Sequence, residues 1–154
     1  MIKEGIIPLL NSLLFSNNIQ IQTRSLALIQ YFDISFQDIL VKEGMISNIM
    51  SLLNTNNNQP LLQLKCLSVL QHFSSKYKEI IVNNGILSNL STLVHSNNSQ
   101  LQLKSFQVIE NLVESHQLDI VNTGILHSLI DFLNDPHFTL KLECLSILKC
   151  FDSK

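Results

Sequence analysis

Val41-Lys42-Glu43-Gly44-Met45-Ile46 decides the fold, because its pattern returns three more times within 154 residues. The other copies are Ile2-Lys3-Glu4-Gly5-Ile6-Ile7, Val82-Asn83-Asn84-Gly85-Ile86-Leu87 and Val121-Asn122-Thr123-Gly124-Ile125-Leu126. All four glycines of the chain fall in this context, spaced 39, 41 and 39 residues apart. Self-similarity at a fixed period marks a repeat architecture and has to be read before any single element.

Working outward from each glycine, positions +1, +2, +5, +8 and +9 are apolar in every copy. The second copy supplies Met45, Ile46, Ile49, Leu52 and Leu53, and the fourth Ile125, Leu126, Leu129, Phe132 and Leu133. That spacing is one face of a helix about ten residues long. Polar linkers follow at Ser16-Asn17-Asn18, 54–59, 96–99 and Asn134-Asp135-Pro136. Asn and Ser there suit turns and helix N-caps. A longer helix comes next, with aligned apolar columns: Ile21, Leu62, Leu101 and Leu140, then Leu28, Val69, Val108 and Ile147. Between these columns a small residue recurs, Ser25, Cys66, Ser105 and Cys144, which predicts close helix approach and makes the cysteines packing spacers. A short helix, as in 36–41, 77–82 and 117–121, leads to the next glycine, which ends it in a left-handed conformation.

Composition narrows the classes. With 45% hydrophobic and 14% charged residues the chain is not disordered. Four glycines and three prolines are too few for a β-sandwich, which needs a turn every ten residues or so. A formal charge of −2 gives no bulk attraction to nucleic acid or anionic lipid. Unbroken aliphatic runs are far short of the ~20 residues of a membrane span, and the N-terminus lacks the pattern of a signal peptide. Three cysteines without metal-ligand spacing point to a reducing setting, cytoplasmic or nuclear.

Three helices per repeat of about 40 residues, with the glycine between first and second, resemble the armadillo repeat family over essentially the whole chain. The Gly-Ile/Met-Ile/Leu steps, Pro8 and the small-residue column carry the resemblance. It implies an all-α protein, a right-handed α-solenoid of about four repeats, near 1–34, 35–75, 76–114 and 115–154, in one domain spanning 1–154. A helical repeat with two helices per unit is the alternative, and the short extra helix and the glycine speak against it. The resemblance further implies a concave groove, lined by the third helices, that binds an extended peptide. Helix arithmetic places Arg24, Ala27 and Tyr31 on that face in the first repeat. Lys65, Ser68 and His72, then Lys104, Gln107 and Asn111, then Glu143, Ser146 and Cys150 follow in the later ones. Nuclear import adaptors of the family carry Trp and Asn there, four residues apart. This chain has no Trp and keeps one Asn, Asn111, which argues against their basic-signal ligands. Its row Arg24, Lys65, Lys104, interrupted by Glu143, fits an acidic extended partner, as in the catenin branch. Arg24, Tyr31, Lys65, His72, Lys104 and Asn111 are the candidate groove residues. The competing reading is a polar face of solvated side chains, with Leu64, Leu103 and Leu142 at its edge serving helix packing.

No phosphate loop, nucleophile elbow or His-Glu-x-x-His motif is present. The five histidines never stand four apart, and His95 and His137 read as ordinary positions at a helix end and in a linker. Cys150 and His72 sit two repeats apart, beyond nucleophile–base reach. No catalytic residue, metal or cofactor is called for. The sequence therefore predicts a non-catalytic protein-interaction scaffold. The alternative is a targeting or structural segment of a larger ligase, kinase or exchange factor. Nucleic-acid binding along three cations of a net acidic chain is disfavoured. Ile6, Ile7, Leu145 and Leu148 are expected near uncapped ends, where self-association becomes an option.

Overall fold

The structure is a computed structural model that describes residues 2–55, 58–134, 136 and 138–151. Parts of the linkers at 54–59 and 134–137, including the position of His137, lie outside the described residues. Regular structure among the described residues is helical throughout. In chain order it comprises α1 (Ile2–Leu14), α2 (Ile19–Tyr31), α3 (Ile34–Lys42), α4 (Met45–Thr55), α5 (Pro60–Ser74) and α6 (Lys78–Asn83). Then come α7 (Ile86–Leu93), α8 (Ser99–Val113), α9 (Gln117–Asn122), α10 (Ile125–Phe132) and α11 (Phe138–Phe151). The helices follow the expected cycle of short, middle and long, with α3, α6 and α9 as the short members. Two compact units divide the chain, Met1–His72 and Phe73–Lys154.

In the first unit α1 packs on α2 and α4, and α3 packs on α4. In the second, α7 packs on α6, α8 and α10, while α11 packs on α8 and α10 and α9 on α8 and α10. The +5 column, Leu10, Ile49, Leu90 and Leu129, is fully buried, as periodicity required. Each such side chain contributes about 1.5–3 kcal/mol by leaving water. The small-residue column is buried in every repeat: Ser25, Cys66, Ser105 and Cys144. Ser25 and Ser105 satisfy their hydroxyls by donating to the carbonyls of Ile21 and Leu101, one turn back, at 2.7 Å each. A buried hydroxyl without such a partner would cost more than the close approach gains. Burial pushes the Cys66 thiol up to about 12, so it packs as a small apolar group.

Identical linker sequences fold identically. Asn18 caps α2 by accepting from the amides of Gln20 and Ile21, and Asn98 caps α8 by accepting from those of Gln100 and Leu101. Ser16 and Ser96 accept from the Asn18 and Asn98 amides. Gln22 and Gln102 each reach back 2.9 Å to the carbonyls of Leu14 and Val94, closing the turn onto the preceding helix. This glutamine clamp is one residue beyond an apolar column that the sequence pattern shows, and column-by-column comparison of the polar positions would have found it.

Gly44, Gly85 and Gly124 take φ of +87°, +88° and +83°. Their amides donate to the carbonyls of Val41, Val82 and Val121, closing the short helix before the chain turns. Gly5 differs from the expectation that all four share one setting. It lies inside α1, with residues 2–4 already helical, and is not among the glycines of positive φ. Pro8 sits inside the same helix, where it has no amide to donate. A Cβ at any of the four glycines would meet nothing within 4 Å, so substitution there tests backbone conformation alone. Gly85→Ala should lower stability by about 1–2 kcal/mol, the left-handed penalty of an L-residue. Gly5→Ala should instead raise it by up to about 1 kcal/mol, as in any helix interior. Urea unfolding of the two variants should give shifts of opposite sign.

Candidate functional site

The candidate face is built on the third helices, so each unit carries its own part. In the first unit Arg24 is exposed on α2 and Tyr31, at the helix end, is 86% exposed. On α5, Lys65 and Ser68 are half-buried and His72 is exposed. Ser68 donates to the carbonyl of Leu64 at 2.9 Å, so its hydroxyl serves the helix. The His72 Nε2 stands 2.8 Å from the Gln37 Nε2, which also donates to the carbonyl of Phe32. An amide nitrogen only donates, so the His72 Nε2 accepts and the ring proton resides on Nδ1. Gln37 on α3 thereby fixes the imidazole from the short helix of the same repeat.

In the second unit Lys104, Gln107 and Asn111 lie half-buried on α8. The Asn111 Nδ2 donates to the Oγ of Ser74 at 2.9 Å, and Ser74 is fully buried. Its amide donor therefore holds the end of α5 in place, and an incoming backbone would have to compete for it or meet Oδ1. On α11, Glu143, Ser146 and Cys150 are half-buried. The Ser146 hydroxyl donates to the Oε1 of Glu110 at 2.5 Å. Burial, reinforced by the charge of Glu110, holds the Glu143 carboxyl above its ordinary value of 4.5. Two carboxylates thus gather where the basic row breaks. Glu110 was invisible to helix arithmetic, because it reaches this place from the neighbouring helix. Of the leucines at the edge of the face, Leu64 and Leu103 are half-buried, while Leu142 is more than half exposed.

Other chemistry-bearing groups are dispersed. Buried His116 bonds the Ser115 Oγ at 2.9 Å, and its Nε2 lies 3.0 Å from the Oε1 of exposed Glu79. Exposed His95 meets the Ser128 Oγ at 3.0 Å. No group of three metal-ligating side chains comes together among the described residues. No helix among them is long and apolar enough to cross a membrane.

No protein-family model and no curated protein matches the sequence. Solved structures do. A designed armadillo repeat protein in complex with the peptide (KR)4 aligns with a TM-score of 0.82 at 17% identity, covering 98% of this chain and 66% of that one. Computationally designed armadillo repeat proteins for modular peptide recognition align at 0.80 and 16% identity, over 97% of this chain and 66% of theirs. An engineered protein aligns at 0.79 and 22%, over 94% of this chain and 61% of that one. This is an armadillo-type repeat fold. The armadillo glycines are Gly44, Gly85 and Gly124, and the armadillo third helices are α2, α5, α8 and α11. The chain spans 61–66% of the length of these neighbours.

The site's carboxylates give a pH dependence with a definite sign. A carboxyl whose pKa is higher folded than unfolded contributes most below the unfolded value and progressively less as pH rises through the folded one. Glu143→Gln should therefore raise stability at pH 7, modestly because the group is largely solvated, and flatten the loss seen on raising pH from 4.5. Chemical denaturation at a series of pH values checks both. The cysteines give a second test. A thiol reagent should label half-exposed Cys150 in the native protein and reach buried Cys66 and Cys144 only after unfolding.

Proposed function

We propose that this protein is a non-catalytic interaction scaffold that binds an extended acidic peptide across the third-helix faces of its repeats, which together act as one binding domain over 1–154. The observation carrying this reading is the recurrence of a cation at one third-helix position, Arg24, Lys65 and Lys104, on a fold whose solved neighbours include peptide binders. An extended peptide suits cations that recur at one helix position, since equivalent side chains of stacked helices within a unit, such as Arg24 and Lys65, are expected about 8–10 Å apart. Tyr31, His72 and Asn111 supply an exposed ring and hydrogen-bonding groups beside the cations. The neighbour solved with (KR)4 shares the fold, and the sign of the ligand follows from the side chains, which differ. Glu143 and Glu110 limit the acidic preference to the first three repeats. Cysteines used as small packing residues, Cys66 and Cys144, support a reducing compartment, cytoplasmic or nuclear.

An alternating Asp-Glu octapeptide with a fluorescent label tests the sign directly against labelled (KR)4. Anisotropy should rise with the acidic probe, less so at high salt, because exposed ion pairs are screened. Lys65→Glu combined with Lys104→Glu should weaken that binding about tenfold or more, two charge reversals acting on one ligand. Equal binding by the double variant, or preference for the basic probe, would reject the reading.

A further inference from the structure

We propose that Asn84 is a site of spontaneous conversion to isoaspartate, held in check by the folded joint between α6 and α7 and released when that joint opens. Asn84-Gly85 is the one Asn-Gly step of the chain, since Glu4, Glu43 and Thr123 precede the other glycines. A glycine makes this step reactive because no side chain stands between its amide nitrogen and the neighbouring carboxamide. Packing does not shield the site: Gly85 is exposed, Asn84 is half-buried, and the space around the glycine is open. Protection therefore has to come from conformation. The reaction begins when the Gly85 nitrogen, having lost its proton to a solvent base, attacks Cγ of Asn84. A C–N bond forms, Nδ2 takes up a proton and leaves as ammonia, and a five-membered cyclic imide remains. Water then opens the imide at one of its two carbonyls. Opening at Cγ gives aspartate; opening at the main-chain carbonyl gives isoaspartate, whose backbone runs through the former side chain. Overall one water is consumed and one ammonia released.

The fold withholds both partners of the first step. Asn84 has ψ of 2°, which sets the Gly85 nitrogen in line with the amide nitrogen of Asn84 itself. Ring closure needs it in line with Cβ, about a third of a turn away around the Cα–C bond. The hydrogen that must be lost donates to the Val82 carbonyl at 2.9 Å. The carboxamide is drawn back along α6, where its Nδ2 donates to the Ile80 carbonyl at 2.7 Å. In the next repeat Thr123 returns its hydroxyl to the Ile120 carbonyl at 2.7 Å, closing the short helix without a reactive group. Turning ψ of Asn84 to the reactive value would carry Gly85 and the start of α7 with it. That helix is pinned by buried Ile86, Leu87 and Leu90. The joint must therefore open first, and the rate follows the population of the open state. The product does not fit the closed joint. Its main chain is one carbon longer before Gly85 and carries a free carboxylate, so the left-handed reversal and the Val82 bond lose their spacing. Each opening that reacts is thus irreversible.

Peptide mapping by mass spectrometry, after incubation at mildly alkaline pH, measures the conversion at each asparagine. In guanidinium-unfolded protein the peptide holding Asn84 should gain one mass unit faster than those holding Asn17 or Asn97, each followed by another asparagine. Electron-transfer fragmentation should identify isoaspartate as its main product. In the folded protein the same conversion should be at least about tenfold slower. Ile81→Ala removes a fully buried side chain of α6 and leaves the Asn-Gly step intact, so it should raise the folded-state rate. Far-UV circular dichroism verifies that this variant keeps its helices, and Ile81→Val replaces it if it does not. Equal rates in folded and unfolded protein, an unfolded rate no faster than at Asn17 and Asn97, or a folded-state rate unmoved by the Ile81 variant would each overturn the proposal.

Discussion

The structure depends on the close approach of the long helix of each repeat to its neighbours, which the column Ser25, Cys66, Ser105, Cys144 makes possible. A helix of 13–15 residues cannot bury enough of its own surface to persist alone in water. It becomes stable when its apolar columns close against other helices, and a bulky residue at the small column would hold those columns apart. The two chemical solutions at this position obey the same constraint. Serine returns its hydroxyl to the carbonyl one turn back, and cysteine has little polarity to satisfy.

The left-handed glycine is the second constraint, and it is conformational. Three reversals out of the short helix use a backbone region that L-residues avoid, while the space around each glycine is empty. The residue is thus selected for its torsion angles, and the helix that follows begins in a fixed direction relative to the one before. Gly5 has the same neighbours in sequence but lies inside a helix, so the shared pattern of residue types does not by itself fix the torsion angles.

Periodicity made the buried columns legible because burial in a repeat is set by position on the helix, and position is counted from the glycine. The exposure of Ile21 and Leu28 was less legible, since their columns are buried in the later repeats at Leu62, Leu101 and Leu140 and at Val69, Val108 and Ile147. The candidate face was legible as an arc of polar residues, while the engagement of its members was not. Asn111 is tied to Ser74 and His72 to Gln37, both across more than thirty residues of sequence. Glu110 escaped notice for the same reason: its effect on Glu143 is exerted between helices. The short-range devices, Asn18 and Asn98 at helix starts, were readable because a cap and its amides are sequence neighbours.

The polar contacts between repeats have a consequence for the order of the repeats within each unit. Asn11 with Asn48 is a matched amide pair, and His95 with Ser128 is a ring nitrogen with a hydroxyl. Apolar columns are nearly interchangeable from one repeat to another, so they would tolerate permutation. The amide and imidazole partners would not, since shuffling would leave a donor or acceptor facing the wrong chemistry. Generic hydrophobic glue thus coexists with individual addresses, and it is the addresses that let the polypeptide assemble its modules in a single sequence.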